Sequence, residues 1–80
     1  MDKVFCVFFA TSNVYCDYEK ILSIFKNEND AKQYMHKCVE EDKKKIEKDV
    51  IIKEYDTKVV FENIETGEYH EYYICEMDVK

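Results

Sequence analysis

Asn27-Glu28-Asn29-Asp30-Ala31-Lys32-Gln33-Tyr34-Met35-His36-Lys37-Cys38-Val39 decides the fold. Its opening is a capping signal: an Asn side chain that can accept from the first free N–H groups, with an acid three residues on. Ala31, Tyr34, Met35, Cys38 and Val39 then recur at helical spacing and make one apolar stripe, extended by Ile46. Glu28 and Asp30 favour the positive end of the helix dipole; Lys43, Lys44 and Lys45 favour the negative end. The spacing predicts one long helix within Phe25–Lys48.

Strands flank it. In Lys3–Ala10, Val4, Cys6 and Phe8 alternate with Phe5, Val7 and Phe9, so both faces are apolar, as in a strand covered on both sides. Thr11–Tyr18 reads as a polar loop, with Tyr15, Cys16 and Tyr18 as lid or contact residues. Glu19–Phe25 returns as a second strand. Beyond the helix, Val50–Tyr55 reads as a strand, Asp56-Thr57-Lys58 as a bend or bulge, and Val59–Ile64 as its continuation. Glu65-Thr66-Gly67-Glu68 is a turn whose Gly supplies a positive φ. Tyr69–Val79 closes the sheet. Its odd positions Tyr73, Cys75, Met77 and Val79 are expected in the core, and its even positions Tyr72, Ile74, Glu76 and Asp78 outside. The expected fold is α+β, β-β-α-β-β: a single domain over 1–80 with an antiparallel sheet and one long helix on one face.

One helix covers one face of such a sheet. The second apolar face of the first strand therefore needs another cover, and a homodimer is the expectation it raises.

The chain of 80 residues carries a formal net charge of -6, with twelve cationic residues, all Lys. Without Arg there is no bidentate reading of phosphate or guanine, and the acidity opposes direct nucleic-acid or anionic-membrane binding. The charge is uneven. Residues 27–49 balance seven acids with six Lys, whereas residues 62–80 hold Glu62, Glu65, Glu68, Glu71, Glu76 and Asp78 against Lys80 alone. That quarter is either a solubilising surface or one shaped for a basic partner.

Catalytic constellations are missing. His36 and His70 are the only histidines, and no Ser-His-Asp, Cys-His or H-E-x-x-H spacing occurs. A single Gly excludes a Gly-rich phosphate loop. Cys6, Cys16, Cys38 and Cys75 show no zinc spacing and read as thiols, with Cys6, Cys38 and Cys75 expected in the core. Glu76 and Asp78 read as solvated carboxylates. No cofactor, no metal and no catalytic residue is assigned. The chain shows no signal peptide and no apolar run of membrane-spanning length, so a cytoplasmic protein is expected.

The segment Ile24-Phe25-Lys26-Asn27-Glu28-Asn29-Asp30-Ala31-Lys32-Gln33-Tyr34 resembles a pattern of small phage and prophage proteins. In these an aliphatic-Phe pair ends a strand, a short cap follows, and the helix opens with Ala and an aromatic three residues on. Tyr72-Tyr73-Ile74-Cys75-Glu76-Met77-Asp78-Val79 is similar to their last strand. About half the chain is covered. The motifs are structural and transfer no functional residue. The resemblance implies a phage-type inhibitor of a host defence system, as anti-CRISPR proteins are.

The functional expectation is a non-enzymatic inhibitor that engages a basic, nucleic-acid-binding surface of a host protein. Its contact residues are Glu62, Glu65, Glu68, Glu71, Tyr72, Ile74, Glu76 and Asp78. The alternative is a homodimeric small-ligand binder, with a pocket built from Tyr15, Tyr18 and the second face of the first strand.

Overall fold

Asn27 adopts an extended backbone and its side chain accepts from the Asn29 N–H over 2.8 Å, which starts α1 (Glu28–Lys43). In the computed structural model, which describes residues 2–12, 17–46 and 49–79, that helix is joined by five strands. They are β1 (Asp2–Ser12), β2 (Asp17–Phe25), β3 (Val50–Tyr55), β4 (Lys58–Asn63) and β5 (Tyr69–Val79). The sheet is antiparallel throughout, in the order β2-β1-β5-β4-β3. The α+β class is as expected. The element order is instead β-β-α-β-β-β, because Asp56-Thr57 is a hairpin turn between β3 and β4, with Tyr55 opposite Lys58. That turn carries neither Gly nor a positive φ, so it lacks the usual sequence signature. The Ile74 N–H anchors it by donating to the Thr57 carbonyl over 2.9 Å.

Since β2 and β3 are the two edge strands, α1 carries the chain from one edge of the sheet to the other. Ala31, Met35 and Val39 are fully buried and cluster with Val7 of β1, Val59 and Phe61 of β4 and Tyr72 of β5. Tyr34, Cys38 and Ile46 flank the cluster, half-buried. Two lysines tie the helix to the far hairpin. Lys32 bridges Glu28 (3.0 Å) and Asp56 (3.1 Å), while Lys43 reaches Glu54 (2.8 Å) and Glu40 (3.4 Å). Hydrogen bonding to Lys43 holds the Glu54 carboxyl below its usual range, and bonds to Glu28 and then Asp56 raise Lys32.

The β4–β5 turn is built as its sequence suggests. Gly67 has φ +75°, the Asn63 side-chain oxygen accepts from the Glu65 and Thr66 N–H groups, and the Gly67 N–H donates to the Asn63 carbonyl.

The last strand departs from expectation in its phase. Tyr72 is buried and Ile74 half-buried against the helix-side core, and His70 lies on that same side. Tyr73, Cys75, Met77 and Val79 point to the opposite face, and Cys75 is exposed rather than core. Both registers place large apolar side chains on both faces. What chooses between them is the pairing of Val59 with Tyr72 and Phe61 with His70, which aligns β5 with the buried positions of β4.

Candidate functional site

The face away from α1 has no covering element among the described residues. Alternation and register give its composition row by row. One row crosses Ile21, Phe8, Tyr73, Lys58 and Tyr55. The next crosses Glu19, Ala10, Glu71, Val60 and Lys53, and the next Asp17, Ser12, Tyr69, Glu62 and Ile51. Toward the other end lie Ile24, Cys6 and Cys75, then Val4 and Met77. The face is therefore divided. Its charged half lies over Glu19, Glu71 and Glu62. Its apolar half spans β2, β1 and β5 from Ile21 to Met77.

A register shift between Val7 and Phe8 produces that apolar half at β2. It places Ile21 and Ile24, three residues apart, on the open face, and Leu22 and Phe25 on the helix face. Ile21 is 51% exposed, Ile24 57%, Met77 48% and Val79 46%, and together they make an exposed apolar patch. Phe8 stacks on Tyr73 with ring centroids 5.1 Å apart, and the Tyr73 hydroxyl donates to the Glu19 carboxylate at the border of the two halves. That bond first, and desolvation second, push the Tyr73 phenol up to about 12.

The expected contact residues do not share one face. Glu62 and Glu71 lie on the open face, each bridged to a neighbouring lysine: Glu62 to Lys53 at 3.4 Å, Glu71 to Lys58 at 3.2 Å. Tyr72 and Ile74 lie on the helix side, Tyr72 buried in the core and Ile74 half-buried against it. Glu76 and Asp78 continue their row, with Glu76 bridged to Lys3 at 3.1 Å. Glu65 and Glu68 sit in the β4–β5 turn, and with Asp78 they form no ion pair among the described residues. Half of the acidic set is thus offset by lysines that are distant in sequence but adjacent across strands. Tyr18 lines a shallow depression of about 390 Å³ on the charged half, with Glu19, Glu71 and Tyr73; Tyr15 and Cys16 lie outside the described residues.

A second feature escaped the sequence reading. A cleft of about 470 Å³ opens beyond the end of α1, walled by Phe9, Ile46, Val50, Phe61 and Tyr72. At its polar side the Asp42 carboxylate accepts from the Tyr72 hydroxyl at 2.5 Å and lies 3.4 Å from His70 Nε2. His70 stacks on Phe61 at 4.7 Å. An imidazole beside a carboxylate resembles part of an acid–base relay, but no hydrogen bond joins His70 to Asp42 among the described residues. The Thr11 hydroxyl that also lines the cleft is engaged with the Tyr69 carbonyl, so it does not complete one. The three members sit at positions 42, 70 and 72, on α1 and β5, and no local motif links them.

Among the described residues, no His, Cys, Asp or Glu cluster could hold a metal, and no helix is long and apolar enough to cross a membrane. No protein-family model matches the chain, and neither a curated protein nor a solved structure matches it.

Proposed function

We propose that this protein is a non-enzymatic binding protein that docks a partner on its uncovered sheet face. The observation that carries the reading is the apolar half of that face, where Ile21, Ile24, Met77 and Val79 stand about half exposed in successive rows that run along the strands from Phe8 and Tyr73. Single exposed aliphatics are ordinary, but a contiguous group on one flat face has a use. The carboxylates of the charged half and of the β4–β5 turn form a rim that suits a partner with a basic border, since rim charges steer and select more than they bind. In keeping with the phage-type resemblance, the partner is a host protein with a basic, nucleic-acid-binding surface, and docking inhibits it from the host cytoplasm.

The site differs in emphasis from an acidic patch. Ile24 and Met77 form the centre; Glu65, Glu68 and Asp78, without lysine partners among the described residues, make the electrostatic contribution. The test is capture from a bacterial host lysate by wild type, by Ile24→Glu/Met77→Glu, and by Glu65→Lys/Glu68→Lys/Asp78→Lys. A protein held by wild type and lost from the first variant, with weaker and more salt-dependent retention by the second, supports the reading. Capture unaffected by Ile24→Glu/Met77→Glu, in a variant that still melts cooperatively, overturns it.

A second reading is favoured by the single helix: a sheet with one covered face acquires its second cover from another copy. Light scattering distinguishes the two. A particle of twice the 9.7 kDa chain mass that reverts to one chain in Ile24→Glu/Met77→Glu makes the face a dimer interface. The depression beside Tyr18 would then be the place for a small ligand.

A further inference from the structure

Cys6 and Cys75 are Cα partners across the antiparallel β1–β5 pair, at the heart of the sheet, and both are free thiols. Residues so paired stand about 4.5–5.5 Å apart at Cα, inside the range of about 4.4–6.8 Å that a disulfide spans. Alternation puts both side chains on the same, open face. Their settings differ. Cys6 is 2% exposed, with its sulfur 3.6 Å from the Met77 sulfur, whereas Cys75 is open to solvent. Cys38, on the helix face, has no comparable partner thiol among the described residues.

We propose that Cys6 and Cys75 form a dithiol modification site that reacts with low-molecular-weight disulfides, such as oxidised glutathione, and closes to an intramolecular disulfide between the two central strands. The exposed sulfur reacts first. The Cys75 thiolate attacks the small disulfide, forming one S–S bond and releasing one small thiolate. The Cys6 thiolate then attacks the Cys75 sulfur, forming the protein disulfide and expelling the second small thiolate. Two protein thiols are oxidised, one small disulfide is reduced to two thiols, and the two protein protons end on those products. Closure asks the two Cβ atoms to approach by about 1 Å, which rotation of the exposed Cys75 side chain and a small local shift of β5 against β1 supply. The inference does not depend on the docking reading, because it rests on strand register and on the exposure of Cys75.

Nearly the whole chain lies between the two cysteines, so closure strongly restricts the unfolded ensemble. The experiment treats the reduced protein with oxidised glutathione, alkylates what remains, and maps the peptides by mass. The expected result is a Cys6–Cys75 linked peptide, a loss of two hydrogens from the intact mass, and a melting temperature higher by ~10 °C or more. Cys75→Ser, which alters an exposed side chain and leaves the core intact, should abolish both the linked peptide and the melting shift. Recovery of Cys75 only as a stable mixed disulfide while Cys6 is still alkylated after unfolding, or linkage of Cys6 to another cysteine, overturns the proposal. So does a melting shift that persists in Cys75→Ser.

Discussion

The Tyr72 hydroxyl donates to the Asp42 carboxylate over 2.5 Å and so fastens the middle of the last strand to the final turn of the helix. Tyr72 is 7% exposed and also touches the rings of Phe9 and Phe61. Its ring belongs to the core, and its hydroxyl is a polar group that must be satisfied there. Tyr72→Phe keeps the ring and removes the bond. A buried bond to a carboxylate contributes about 1.5–3 kcal/mol, so urea unfolding of Tyr72→Phe should show a loss in that range with an unchanged m-value. A loss below about 0.5 kcal/mol would mean that water replaces the phenol without penalty.

The same bond gives the fold a sensitivity to base. Burial first, and the Asp42 carboxylate second, raise the Tyr72 phenol above its ordinary value. The folded state therefore holds this proton when the unfolded chain begins to release it near pH ~10. Stability from this group is fully present below that pH and is lost as pH rises toward the folded value. Melting temperature measured from neutral to strongly basic pH should fall above pH ~10, and the fall should be shallower in Tyr72→Phe. Parallel curves for the two proteins would remove Tyr72 as the titrating group.

Met35 tests how thin the core is. It is fully buried between Ala31 and Val39, facing the sheet. A Met-to-Ala change at such a site costs about 2–5 kcal/mol. Small domains have little more than that in reserve. Met35→Ala should be largely unfolded at 37 °C by circular dichroism, whereas Gln33→Ala, on the exposed side of the same helix, should be within about 0.5 kcal/mol of wild type. Cooperative unfolding of Met35→Ala at nearly the wild-type midpoint would show that the cluster around Met35 does not carry the stability.

The β4–β5 turn depends on a single backbone conformation. A Cβ at Gly67 meets nothing within 4 Å, so any cost of substitution is conformational and not steric crowding. At φ +75° an L-residue is penalised by roughly 1–2 kcal/mol, with Asn among the least affected. Gly67→Ala should lose about 1 kcal/mol and Gly67→Asn less, read by thermal unfolding. Equal losses would point to a packing role for the turn that open space around Gly67 does not provide.

Much of this was legible from local signals. The Asn27 cap and the Ala31-Met35-Val39 stripe mark α1 because capping and helical periodicity are properties of adjacent residues. Gly67 marks its hairpin for the same reason. Asp56-Thr57 is marked as a bend or bulge and not as a hairpin turn, since its contacts with Lys32 and with the Ile74 N–H are both distant in sequence. The lysines that offset Glu62, Glu71 and Glu76 become neighbours only through register, so the acidity of residues 62–80 overstated the acidity of the surface. Asp42, His70 and Tyr72 likewise meet only once β5 lies under the helix end.

The phase of β5 is the point where sequence and structure part most sharply, and it is directly testable. Both phases place apolar side chains on both faces, so alternation alone does not choose between them. Register places Tyr72 with Val59 in the core and Met77 opposite Val4 on the open face. A lysine at position 77 then has its ammonium in water, and Met77→Lys should cost less than about 1 kcal/mol. A lysine at position 72 would remove a core ring that packs on Phe9 and Phe61, a loss that an ammonium reaching Asp42 does not make up; Tyr72→Lys should abolish folding. The pair also separates scaffold from surface. Met77→Lys should keep the melting curve while losing the captured partner or the dimer, whichever the open face holds. Loss of folding in Met77→Lys with tolerance of Tyr72→Lys would restore the opposite phase and move the contact surface to Tyr72 and Ile74.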